Sequence, residues 1–167
     1  MIIGIDPGLA TTGFGIIDDL RCIKYGVIRT PPDVLIQTRL QTIFHRIEEI
    51  LELYQPDELA IEKLFFSRNV TSAIEVSHAR GVILLAASEY DLDVFEYTPN
   101  QIKQVVTGSG KADKKQVQKM VGMLLGIDEK IPDDAADALA AAICHAHSQT
   151  GVRSITIPEK DDLVCME

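Results

Sequence analysis

Four acidic residues stand where carboxylates can do chemistry. Asp6 ends the apolar run at residues 2–5 and is followed by Pro7-Gly8, which turns the chain. Glu62 closes a second apolar run, Leu59-Ala60-Ile61, in the same way. Asp134 and Asp137 are three apart in an alanine-rich stretch, so on a helix both point to one side. Carboxylates crowded on a partly buried face repel one another and are stabilised by a divalent cation. Hard oxygen donors without a cysteine among them favour Mg²⁺ or Mn²⁺ over Zn²⁺. Such a site suits two-metal phosphodiester hydrolysis, which needs no serine or tyrosine nucleophile.

Each acid also has an ordinary role. Asp6-Pro7-Gly8 is a turn sequence, Glu62 suits a solvated strand end, and Asp133, Asp134 and Asp137 lie where acids complement a helix dipole. That role is strongest for Asp133 and weaker for Asp137, which sits deeper. The conjunction points to chemistry more than any single member. His78, His145 and His147 form no pair with a cysteine or serine nucleophile, and His145, two turns beyond Asp137, fits a structural role.

The elements that must position these acids follow from periodicity. Residues 2–6 read as a buried strand, with further strands at 12–17 and 22–28 joined by a short connection, an antiparallel meander. Asp33 is placed to cap a long helix whose apolar residues Ile36, Leu40, Ile43, Ile47 and Leu51 follow the helical period. Pro56-Asp57 breaks it, and a short strand at 59–61 delivers Glu62. A largely apolar helix spans about 70–90, and a fifth strand spans 93–97. Thr98-Pro99 opens a helix ending near Gly108, GSGKAD is a loop, and a further amphipathic helix closes at Gly126. Pro132 opens the last helix, which runs to about Gln149. The expected fold class is α/β: a five-stranded mixed sheet, a meander followed by αβαβ, with helices on both faces. This is the element order of the ribonuclease H-like fold.

The chain has 167 residues, which fits one domain at 1–150, followed by an acidic tail at 151–167 expected to be poorly ordered. No apolar run is long enough to span a bilayer, and three unrelated cysteines suggest reduced thiols in the cytoplasm. Net charge is −9, which disfavours a general DNA-coating protein. The segment 103–119 nevertheless carries five lysines against Asp113, a local +4 that leaves −13 on the rest.

With the acids and elements in hand, the motifs resemble the RuvC family of Holliday junction resolvases over nearly the whole chain. GIDPG, TTGFGII, AIEKLFF, SHARGVILLAA, VFEYTPNQIKQVVTGSGKADKKQVQKMV and DDAADALAAAICHAH occur in the family's order. The resemblance implies that Asp6, Glu62, Asp134 and Asp137 are the metal-binding catalytic acids. Asp134 is preferred to Asp133 by the pattern Asp-Ala-Ala-Asp-Ala-Leu-Ala. It implies two Mg²⁺ per subunit, with Mn²⁺ able to substitute. It also implies a homodimer that nicks four-way junction DNA symmetrically during recombination and repair, beside the branch-migration proteins RuvA and RuvB.

Phe65 matches an aromatic near the junction centre, where stacking on an unpaired base tolerates any sequence. Lys103 and Lys114 match basic residues near the scissile phosphate, with Lys111, Lys115, Arg68, Asn69 and Arg80 as further DNA contacts. The apolar helix at 70–90 is either buried on both sides or a dimer contact. This chain departs from the family in its acidity and in its tail, EKDDLVCME, which motivates weaker nonspecific DNA binding. Two other classes share a similar first strand: a nuclease of the same fold acting on structured RNA, and an actin-like phosphate-binding protein. The latter needs two copies of the fold, and this chain has no internal repeat.

Overall fold

Side-chain alternation along the first strand decides the architecture. In the computed structural model ten elements follow in order among the described residues: β1 (Ile2–Asp6), β2 (Thr11–Asp18), β3 (Arg21–Arg29), α1 (Ile36–Tyr54), β4 (Glu58–Glu62), α2 (Val70–Glu89), β5 (Asp93–Tyr97), α3 (Pro99–Thr107), α4 (Lys114–Leu125) and α5 (Asp133–His147). The structure describes residues 1–63 and 70–148, the side chains of 70–72 excepted. Phe65, Arg68, Asn69 and the tail at 151–167 therefore lie outside the described residues.

The five strands form one sheet in the order β3-β2-β1-β4-β5. β1, β2 and β3 make the expected antiparallel meander, while β4 pairs parallel with β1 and with β5. Asp19 and Leu20, both at positive φ (44° and 59°), close the β2–β3 hairpin in a conformation that suits the sheet's twist. The parallel pairs need crossovers, supplied by α1 and α2.

Successive strand residues face opposite sides, so Ile3 and Ile5 of β1 enter one core layer while Gly4 and Asp6 face the other. Ile3 and Ile5 pack with Ile43 and Ile47 of α1 and Ile83 of α2. On the opposite face α5 lies against β1 and β2, flanked by α3 and α4, and Leu139 and Ile143 are fully buried there. A Cβ on Gly4 would sit 2.0 Å from the Ala138 carbonyl oxygen, and one on Gly13 1.9 Å from that of Asp134. Only a residue without a side chain lets α5 approach this closely.

Helix boundaries match the sequence expectations with one correction. α1 starts at Ile36 with Leu35 as an N-cap that makes no side-chain cap bond, so Asp33 does not cap it. The Val34 N–H bonds back to the Pro31 carbonyl at 3.4 Å, which closes a separate turn around Asp33 before the helix begins. Thr98 caps α3 in a reciprocal pair with Gln101, and Asp113 does the same for α4 with Gln116. Gly108 and Gly126 end those helices in the left-handed conformation.

Candidate active site

The four acids come from three elements that the fold brings to one sheet edge. Asp6 ends β1 and Glu62 ends β4; the two strands are adjacent and parallel, so their ends coincide. Ala60 packs in the α5 layer, and Glu62, two residues on, faces the same side. Asp6 stands opposite Gly13, the residue on which the Asp134 backbone rests, so the start of α5 lies over the end of β1. Asp137 follows one turn later.

The electrostatics agree with this placement. Burial, then the charges of Asp137, Glu62 and Asp134, push the Asp6 carboxyl up to about 7, against a smaller opposing effect of Lys114. Glu62 is also raised, by burial first and by Asp137, with Lys103 and Lys114 opposing. Asp137 thus acts on both strand-end acids. Glu62, Asp137, Lys103 and Lys114 line a cleft of about 220 Å³ over Ile102 and Val117. Asp6 and Asp134 adjoin this cleft without lining it.

Lys114 is the positive charge already inside the acid group. Its Nζ lies 2.9 Å from Asp137 Oδ2 and 3.9 Å from Asp133 Oδ2. Burial pulls its pKa down, but the hydrogen bond and charge of Asp137, with Asp133 and Asp134 behind, outweigh this and hold it above the ordinary lysine value. Asp133 is turned toward α4, where Gln118 Nε2 donates to it at 3.3 Å, so Asp134 and Asp137 are the pair aimed at the strand ends.

The donor set fits a divalent ion by its chemistry. It is all oxygen, the neighbouring acids add to burial in raising Asp6, and added positive charge would relieve their repulsion. Among the described residues no three such side chains already converge on one point. Asp137 is engaged by Lys114 instead.

The basic candidates separate. Lys103 and Lys114 line the cleft. Lys111 is exposed on the α3–α4 loop, in a hollow with Gln104 and Ser109, and Lys115 faces another groove beside Gln118 and Lys119. Arg80, expected among the phosphate contacts, does not join them. It is 7% exposed, its guanidinium pairs with Glu96, and its Nη1 donates to the Glu62 main-chain carbonyl at 3.1 Å. A guanidinium enclosed on the α2 side has no free edge for a phosphate; it ties α2 to the strand ends that present Glu62. Phe65, Arg68 and Asn69 fall outside the described residues.

His145, expected in a structural role, has partners that the sequence did not indicate: it lies between Tyr97, 2.6 Å from its Nδ1, and Glu58, 3.0 Å from its Nε2, with Phe95 stacked on its ring. This network fixes the far end of α5 to β4 and β5. The loop after Asp6 is held by Thr12, whose hydroxyl donates to the Gly8 carbonyl at 2.7 Å, and by Thr30, whose hydroxyl donates to that of Leu9. Thr12, close behind the GIDPG turn, was a signal available in the sequence; Thr30 reaches the loop only through the fold.

A meander extended by two parallel strands, with an acid-bearing helix across the central ones, defines a carboxylate site on the ribonuclease H-like fold. The family model described as crossover junction endodeoxyribonuclease RuvC matches residues 2–145, and the chain belongs to that family. It is 53% identical over 155 residues to the RuvC of Heliobacterium modesticaldum, covering 90% of this chain and 96% of that one. It is 50% identical over 153 residues to that of Alkaliphilus metalliredigens, covering 89% and 93%. T. thermophilus RuvC, solved in complex with a Holliday junction substrate, superposes with a TM-score of 0.81 at 37% identity, covering 87% of this chain and 92% of that one. Nucleases of this family are metal-dependent.

Proposed function

We propose that this protein resolves four-way DNA junctions by paired, symmetric, Mg²⁺-dependent nicks during recombination and repair. The observation that carries the reading is the meeting of Asp6 and Glu62, from neighbouring strand ends, with the Asp134–Asp137 face of α5 beside two cleft lysines. The T. thermophilus relative bound to a Holliday junction substrate supports the choice of DNA.

Asp6, Glu62, Asp134 and Asp137 would hold two Mg²⁺ ions, with Mn²⁺ able to substitute; such ions supply charge stabilisation and an activated water at neutral pH. The Asp6 carboxyl, near 7, must give up its proton for that role. Lys114 releases Asp137 and turns to a phosphate oxygen, while Lys103 holds a neighbouring phosphate from the other wall of the cleft. Phe65 would stack at the junction centre, with Arg68, Asn69, Lys111 and Lys115 on flanking phosphates.

A two-fold-symmetric junction calls for a two-fold-symmetric enzyme, and α2 supports a homodimer. Ile74, His78, Gly81 and Leu85 are exposed at 4-3-4 spacing, one stripe of the helix. Ile74 and Leu85 are each 51% exposed. A Cβ at Gly81 would touch nothing among the described residues, so an exposed mid-helix glycine, costing about 0.5–1 kcal/mol relative to alanine, fits close approach by a second helix. Family membership supports RuvA and RuvB as working partners. No described helix is long and apolar enough to cross a membrane, and Cys22 and Cys144 are free thiols, which supports a cytoplasmic setting.

The test is cleavage of a mobile four-way junction with and without Mg²⁺, mapped strand by strand. Symmetric nicks that a ligase seals are expected. Random nicking of linear duplex at the same rate, or wild-type cutting by Glu62→Gln, would overturn the reading.

A further inference from the structure

The acid cleft is walled by Lys103 and Lys114 on the α3–α4 side. The opposite side of the same sheet edge, built by the loop after Asp6, carries two cations that no role described above uses. We propose that Arg39 and Arg29 form a second phosphate-binding wall, which takes the sugar–phosphate backbone of a nucleic acid strand continuing past Asp6. The inference rests on the nuclease function proposed above and extends its substrate track.

The topology places both arginines at the acid edge. β1 leaves the sheet at Asp6, β2 re-enters at Thr11, and Thr11 pairs in register with Arg29 at the end of β3. Arg29 is thus two strands across from Asp6 and two residues further along, roughly 12 Å at the usual strand spacings. Arg39 reaches the same corner from the first turn of α1. Its Nε donates to Thr30 Oγ1 at 2.9 Å, and Thr30, 4% exposed, in turn donates its hydroxyl to the Leu9 carbonyl and its N–H to that of Ala10 at 3.1 Å.

Anchoring through Nε leaves the two terminal nitrogens of Arg39 as an oriented fork, the geometry that suits phosphate oxygens. Among the described residues neither arginine is paired with an acid, whereas Arg46 pairs with Glu49 and Arg80 with Glu96. In a chain of net charge −9 two unneutralised arginines at one end of the sheet stand out, and Asp33 is the one acid on the segment joining β3 to α1. α1 also starts without a side-chain cap, so the positive end of its dipole opens onto the same corner. Charge complementarity and continuity with the acid cleft both select a nucleic acid backbone as the occupant.

The experiment measures binding of a four-way junction in Ca²⁺ across a salt series, for Arg29→Ala, Arg39→Ala, Arg39→Lys and the double alanine variant, with Lys103→Ala as a control on the α3–α4 wall. Each lost phosphate contact should flatten the slope of log K against log salt by about 0.9 on duplex arms, so the double variant should lose nearly 2. Affinity should fall on the order of tenfold per charged hydrogen bond removed. Arg39→Lys should keep the slope and lose part of the affinity. Among the described residues the Arg29 side chain makes no hydrogen bond or ion pair to the loop, so Arg29→Ala tests the wall even if Arg39→Ala disturbs the turn beside Asp6. Unchanged slope and affinity in Arg29→Ala and the double variant, with cleavage alone reduced, would mean that Arg39 only props the loop, and the second wall is overturned while the function stands. Failure of the unaltered protein to bind the junction, or a control that changes nothing, overturns the function itself.

Discussion

Asp6→Asn should make the metal-free protein more stable at neutral pH while abolishing cleavage. The carboxyl moves from an ordinary 3.8 to about 7 on folding. Ionising it in the folded state therefore costs roughly 4 kcal/mol, part of which solvent at the cleft mouth screens. The sign follows from linkage. The folded protein holds this proton more tightly than the unfolded chain, so the cost is absent below pH 4, grows between 4 and 7 and is complete above 7. Metal-free stability falls as pH rises through that window, and the asparagine variant lacks this contribution. Urea unfolding in EDTA at pH 4.5 and pH 8 should show the variant's advantage widening by roughly 2–3 kcal/mol. Excess Mg²⁺ should then reverse the order, since ligand at a hundred times its Kd adds about 2.7 kcal/mol to the protein that binds it. An advantage of equal size at both pH values, or a parent that is the more stable at pH 8 in EDTA, would refute the crowding of acids around Asp6.

Two further substitutions probe the supports. Gly13→Ala would force a methyl to 1.9 Å from the Asp134 carbonyl oxygen, so α5 must lift; about 3 kcal/mol of stability and most activity should be lost, read by thermal melts and junction cleavage. Parent-like cleavage would show that α5 is not seated on the β2 glycine. Arg80→Ala should cost about 3–5 kcal/mol by stranding Glu96, while the salt slope of junction binding stays at the parent value. A slope reduced by about 1 would return Arg80 to the phosphate contacts.

The difference between Arg80 and Lys114 shows what the sequence could carry. Both are basic residues on helices near the acids, and charge alone ranks them together. What separates them is rotation. Lys114 opens α4 on the side of Asp137, whereas Lys115, turned by roughly 100° on the same helix, faces a different groove. Arg80 lies on the face of α2 that closes against β5, where Glu96 waits. Helical phase relative to a neighbour is a tertiary quantity, and no local pattern encodes it. The strand ends differ in kind: an apolar run that stops at Asp6 or Glu62 has only one edge to stop at once the parallel order is known, so residue type and strand position were enough. The glycines fall between. Gly4 and Gly13 look like ordinary strand interruptions until a helix is laid across them, yet they decide how near Asp134 comes to Asp6. The acid site was therefore legible in its carboxylates and illegible in its clearances. Asp33 failed as a helix cap for a related reason: two prolines before it let the chain close a turn of its own, and a local hydrogen bond at Val34 took precedence over the generic preference of aspartate for helix starts.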